Sequence, residues 1–80
     1  MRRVEVLSLC ELAAGSSAVV RALGGGADFT RRVSAMGLAA GAPVDVLQNT
    51  GRGPLLVRVR DTRIALGRGE AAKVLVEPCP

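Results

Sequence analysis

The chain has no histidine, tryptophan or tyrosine, and only one phenylalanine, Phe29. Without histidine it lacks the commonest general base and the usual member of a catalytic triad. The carboxylates do not make up the loss: Asp28, Asp45, Asp61 and the glutamates are scattered and share no motif spacing. A non-enzyme is expected. The shortage of aromatics weighs against two binding classes as well. Small barrels that hold single-stranded nucleic acid stack its bases on aromatic side chains, and Pro-rich peptides are captured in aromatic-lined grooves. One phenylalanine, expected in the core, provides neither platform.

Long apolar runs are also missing. No stretch approaches the ~18 to 20 residues that a membrane-spanning helix needs, and the most continuous one, residues 35–44, is broken by Gly37, Gly41 and Pro43. Arg2 and Arg3 stand at the N-terminus, but Glu5 and Glu11 interrupt what would have to be an apolar signal core. The expectation is a soluble, cytoplasmic protein. Cysteine is scarce too, with Cys10 and Cys79 near opposite ends. Small secreted domains generally carry several closely spaced bridges, so two free thiols in a reducing compartment fit better than one long-range disulfide. Zinc usually takes four ligands. Cys10, Cys79 and neighbours such as Glu11 or Glu77 come from distant segments, and no metal ligand is assigned.

What remains is aliphatic and basic. Eighty residues make one domain, 1–80, and a domain of that size buries only about 60% of the surface its unfolded chain exposes. Most of the apolar content is Val, Leu and Ala, and β-branched valines pack well on a pleated sheet. Lys and Arg exceed Asp and Glu by four. That charge suits an acidic protein face, a nucleic acid or an anionic membrane.

Patterning along the chain predicts strands around one helix. Residues 4–7 form a short strand or extended arm. Ser8 caps a single turn, with Glu11 three residues on and Gly15 ending it. In the strand over 17–23, Ala18, Val20 and Ala22 face one way and Val19, Arg21 and Leu23 the other. Gly24-Gly25-Gly26 then forms a flexible loop. It lacks the Gly-Lys-Ser/Thr ending and the dinucleotide spacing of a phosphate loop. The one substantial helix covers residues 28–36, with Asp28 as N-cap and an apolar stripe of Phe29, Val33 and Met36. Gly37 takes the left-handed position after the helix, and Leu38 folds back onto the last turn. Val44 and Val46 alternate with Asp45 in the next strand. A hairpin follows, with Asp61-Thr62 as its turn, Arg60 opposite Arg63 and Arg58 opposite Ala65. Leu55, Val57, Val59, Ile64 and Leu66 share its inner face. Residues 67–72 bend or make one helical turn, and 73–77 form the last strand.

Five short strands must close on themselves to protect their edges. A small, partly open barrel with the helix across one end is expected, mainly β, with short one-turn helices besides. Its best surface candidate is the hairpin's outer face, where Arg58, Arg60 and Arg63 surround Leu56. That face is either an ordinary solvated surface or a docking site for an acidic patch on a partner protein.

Three segments carry a family resemblance: "LCELAAGSSAVVRALGG", "FTRRVSAMGLAAGAPVDVL" and "GPLLVRVRDTRIALGRGEAAKVLVE". Their order resembles the FeoA family of bacterial ferrous iron uptake. The similarity runs from Leu9 to Glu77. Its most specific parts are the Leu-x-x-Leu-x-x-Gly start, the Met36-Gly37-Leu38-x-x-Gly41 corner with Val44-x-Val46, and Arg63-Ile64-Ala65-Leu66 followed by Glu70-Ala71-Ala72. The Asp61-Thr62 turn departs from the glycine often found there. The resemblance implies an SH3-like barrel that binds the cytoplasmic part of the FeoB permease, a membrane protein with a GTPase domain, and regulates or assists transport. It implies contact with the membrane only through that permease, no nucleic acid and no required cofactor. Association with transition metals comes at the family level alone, without a transferable ligand set. Self-association stays open. Two alternatives stand beside it: a small basic nucleic-acid-binding barrel, and a stand-alone relative of the C-terminal domain of metal-dependent repressors.

Overall fold

A computed structural model describes residues 5–79. Arg2, Arg3 and Val4, used in the sequence reading, lie outside the described residues. The chain forms β1 (Leu7–Ser8), a 3-10 turn (Leu9–Glu11), β2 (Ser17–Leu23), α1 (Ala27–Ala35), β3 (Pro43–Gln48), β4 (Leu55–Val59), β5 (Thr62–Leu66), α2 (Arg68–Ala71) and β6 (Val74–Pro78). One antiparallel sheet takes the order β1-β6-β2-β3-β4-β5. The expected five strands become six, because the N-terminal arm pairs Leu7 with Val76 and Ser8 with Leu75.

One core collects the inner faces of β2 to β6. Ala18, Val20, Val44, Val46, Leu55, Val57, Val59, Ile64, Leu66, Val74 and Val76 are all buried in it, together with Phe29, Val33 and Leu38 from the helical corner. Leu9 and Leu12 of the first turn are buried in it too. No buried polar side chain interrupts this core among the described residues. Its cohesion is therefore aliphatic burial, worth about 1.5 to 3 kcal/mol for each fully buried Val or Leu before the cost of ordering the chain is subtracted.

The helix begins one residue earlier than the sequence suggests. Gly26 is its N-cap at φ 89, and Asp28 lies in the first turn without capping it. There it keeps a favourable charge near the positive helix end and makes a 3.6 Å ion pair with Arg31. Phe29 and Val33 are buried as expected, but Met36 is 38% exposed and does not complete the stripe. Met36 is the C-cap, where the helical path has already ended. The corner itself forms as the sequence indicates. Gly37 sits at φ +99, its N–H donates to the Ser34 carbonyl at 2.9 Å, and the Leu38 N–H donates to the Val33 carbonyl at 3.0 Å. These two bonds make a Schellman motif.

Three irregularities escaped the sequence reading, one of them in β3, where the pairing moves from Val46–Val57 to Gln48–Leu56. A bulge in β2 moves the pairing from Val20–Val76 to Ala22–Leu75. Alternation breaks there, so Ala22 is exposed and Leu23 packs against the core instead of facing out with Arg21. In the hairpin, Val59 pairs with Thr62 and Arg58 with Arg63, so the turn is Arg60-Asp61 and not Asp61-Thr62. Arg60 is thus not opposite Arg63, nor Arg58 opposite Ala65. The inner face survives because each strand residue moves by two in register, which preserves which side chains point inward. A turn on Asp61-Thr62 would take the β-branched Thr62 out of the ladder. The observed turn keeps it in β5 and gives Arg60 the positive φ, 58°, that two-residue hairpins need at their first central position.

Candidate functional site

Register across β2–β5 assembles one polar row on the outer face of the sheet. Ser17 is paired with Asp45, Asp45 with Arg58, and Arg58 with Arg63. The Ser17 hydroxyl donates to Asp45 Oδ1 at 2.6 Å, and the Arg58 guanidinium donates to Asp45 Oδ2 at 3.0 Å. Arg58 is thereby partly neutralised. Arg63, on the terminal strand, and Arg60, on the turn, are exposed and lie in no ion pair among the described residues. Leu56 is half-buried on the same face, opposite the exposed Ala65. The structure thus brings Leu56, Arg58 and Arg63 onto adjacent strands of one surface, with Arg60 at its tip.

Asp45 and Ser17 were not identified from sequence as parts of this face. Alternation placed Asp45 outward, but its partners become visible only once the strand order is known. The Ser17 hydroxyl first, and then the Arg58 guanidinium, hold the Asp45 carboxyl below the ordinary aspartate value of 3.8, against the opposing effect of desolvation. A folded-state pKa below the unfolded one contributes stability that is complete above the unfolded value and is lost as pH falls through the folded one. Unfolding titrations in urea from about pH 6 down to about pH 2.5 should therefore show Asp45→Asn and wild type converging below about pH 4. A constant gap across that range would exclude this role for the Asp45 charge.

A second polar cluster ties the first turn to the rest of the fold. The Asn49 amide donates to the carbonyls of Cys10 at 3.0 Å and Leu12 at 2.7 Å. Its oxygen accepts from the Gly51 N–H at 3.1 Å and from Arg68 at 2.9 Å. Arg68 also reaches the Cys10 carbonyl at 3.2 Å. Neither residue was singled out in the sequence, where they are far apart from each other and from Cys10.

The glycine loop packs against Lys73. The Gly24 N–H donates to the Lys73 carbonyl at 2.7 Å, and the Lys73 side chain crosses Gly25 only 2.6 Å from where a Cβ would stand. Lys73 then reaches over the Phe29 ring at 5.6 Å, with Arg32 at 5.7 Å. Phe29 is thus a core residue beneath two cations, as expected from its solitude. Glu70 accepts from the Gly67 N–H at 3.1 Å and pairs with Arg32, which fastens α2 to α1.

Both cysteines are free thiols. Ser8 Oγ lies 2.9 Å from Cys10 Sγ, Glu11 accepts from the Ser8 N–H, and Glu77 pairs with Arg21. Among the described residues no three His, Cys, Asp or Glu side chains gather where they could hold a metal ion. No helix of the described residues is long and apolar enough to cross a membrane.

Against known proteins, the FeoA domain family matches residues 7–78. The chain belongs to the FeoA family. It is 32% identical over 63 residues to a Methanocaldococcus jannaschii protein provisionally named Fe(2+) transport protein A, covering 79% of this chain and 76% of that one. An iron uptake regulatory protein, FeoA, superimposes with a TM-score of 0.88 at 32% identity, covering 94% of this chain and 100% of the other. The zinc-complexed FeoA of Stenotrophomonas maltophilia, described as a procaryotic SH3 domain protein, gives 0.78 at 35% identity with 88% of each chain covered. The fold is accordingly SH3-like. A manganese-dependent transcriptional repressor gives 0.86 at 16% identity over 99% of this chain and 45% of its own, which shows a shared fold alone.

Proposed function

We propose that this FeoA domain is a cytosolic accessory factor of bacterial ferrous iron uptake. In this reading it docks on the cytoplasmic part of a FeoB-type permease and performs no catalysis of its own. Family membership supports the link to ferrous iron transport. The observation that carries the docking surface is the unequal treatment of the arginines. Arg58 is matched by Asp45, while Arg60 and Arg63 stand free of carboxylates among the described residues, beside the half-buried Leu56. A face built this way suits an acidic partner surface with an apolar contact at its centre. Peripheral charges of this kind act mainly on encounter and on salt dependence.

Titration of the full chain against the permease's soluble cytoplasmic part tests the reading. The pair Arg60→Glu and Arg63→Glu should weaken binding by at least ~10-fold at low salt. The difference should shrink as ionic strength passes ~0.1 M, where the screening length is about 10 Å. Equal affinities for wild type and variant would place the interface elsewhere.

The shared fold with the manganese-dependent repressor favours one second reading, a stand-alone relative of the repressor domain. A permease gene adjacent to the one encoding this chain argues for the adaptor, and a repressor gene lacking its own terminal domain argues for the alternative.

A further inference from the structure

We propose that the outer edge of β5 takes up an extended acidic segment of the partner as a seventh strand. This deepens the docking proposal above and rests on the same arginine face.

β5 is a terminal strand of the sheet, and it is longer than β1 at the other end. A two-residue turn closes on a hydrogen-bonded pair, here Val59 and Thr62. Alternation then directs the N–H and C=O groups of Thr62, Ile64 and Leu66 toward β4. Those of Arg63 and Ala65 point away from it. Among the described residues, neither Arg63 nor Ala65 finds a backbone partner in any loop or helix. Four ladder positions are therefore open along this edge.

Charge decides which occupant they fit. A second copy adding edge to edge would bring the arginines of two β5 strands together, and like charges on neighbouring strands oppose pairing. Cationic edge residues of this kind are a common guard against self-association. A partner strand with a carboxylate beside Arg63 is attracted by the same guard. Residues of a strand share a face every second position. The partner residue two positions from that carboxylate thus meets Ala65, an exposed methyl next to the half-buried Leu56. The recognised element is an extended segment carrying an acidic residue and an apolar one in alternate positions, with Ile64 and Leu66 left undisturbed in the core.

Amide hydrogen exchange on the labelled full chain tests this with two probes. One is the permease's soluble cytoplasmic part. The other is a capped eight-residue peptide alternating Glu and Val, with a Lys and Val peptide as its control. At saturation with the permease part or the Glu peptide, the Arg63 and Ala65 amides should exchange at least ~10-fold more slowly, and the Lys peptide should leave them unchanged. Ala65→Pro removes an outward N–H, which edge strands tolerate, and should weaken binding at least ~10-fold. Arg63→Glu should do the same and covers the case in which the proline variant fails to fold. Binding of the permease part with both amides still exchanging at their free rate would overturn the inference, as would a failure of both probes to slow them. Slowing that grows with protein concentration alone would also overturn it, in favour of a second copy. Slowing by the Glu peptide without any binding of the permease part would sink the proposed function and leave the strand addition standing.

Discussion

Asn49→Ala should destabilise the fold by about 2 to 3 kcal/mol, from four hydrogen bonds each worth roughly 0.5 to 1.5 kcal/mol net. The loss is larger than a typical surface change because the bonds are shared. Without the amide, the Leu12 carbonyl loses the bond it receives from Asn49 and Arg68 loses its acceptor on Asn49, while Cys10 keeps only the bond from Arg68. The first turn would then be held mainly by Leu9 and Leu12 in the core. A domain of this size shifts its midpoint by roughly 4 to 8 °C per kcal/mol, so thermal unfolding should show a drop of about 8 to 24 °C. Asn49→Asp is the informative companion: it keeps the acceptor for Arg68 but replaces the amide donor with a second oxygen, which faces the Cys10 and Leu12 carbonyls. It should cost at least as much as alanine. A drop below about 3 °C for Asn49→Ala would show that this clamp contributes little.

Gly37→Val is the second large effect, expected at about 2 to 5 kcal/mol. Two causes add. A side chain at φ +99 carries strain of roughly 1 to 2 kcal/mol. The new Cβ would also stand 3.3 Å from Val59 Cγ1, and overpacking a filled core typically costs a further 1 to 3 kcal/mol. Gly41 separates these causes, since it has φ +89 but nothing within 4 Å of a built Cβ. Chemical denaturation of Gly37→Ala and Gly41→Ala should therefore place the Gly37 variant lower by the packing contribution alone. Equal losses would mean that Val59 moves aside without cost.

The same corner shows how much of the fold could be read in advance. Met36-Gly37-Leu38 ends a helix because a glycine is needed at positive φ and a leucine follows to cover the last turn, and both facts are local. The inner faces of β4 and β5 were legible for a similar reason, as Leu55, Val57, Val59, Ile64 and Leu66 keep strict alternation. The turn between them was not. Its positive φ falls on Arg60, a residue type that does not advertise that conformation, so the register was placed two off. The β2 bulge was hidden because it is a property of the pairing with β6 and leaves no mark in β2 itself.

The candidate site was legible in part, along the same division. Arg58, Arg63 and Leu56 follow from the hairpin pattern, which fixes which side chains point out, whereas Arg60, expected in the strand, stands in the turn. What distinguishes the arginines from one another does not follow. Only the sheet order brings Asp45 and Ser17 to Arg58 and leaves Arg63 on an edge. The Asn49 clamp was invisible for the same reason: its partners lie 37 and 39 residues away. Short-range chemistry is written in the chain, and cross-strand chemistry is written in the topology.

Ferrous iron uptake in cells lacking this chain is the most direct measure of its role. Cells complemented with wild type should regain uptake, and cells complemented with Arg60→Glu and Arg63→Glu, made to the same level and folded, should not. Uptake that is unchanged by the deletion, or fully restored by the charge-reversed variant, would contradict the docking of this arginine face on the permease.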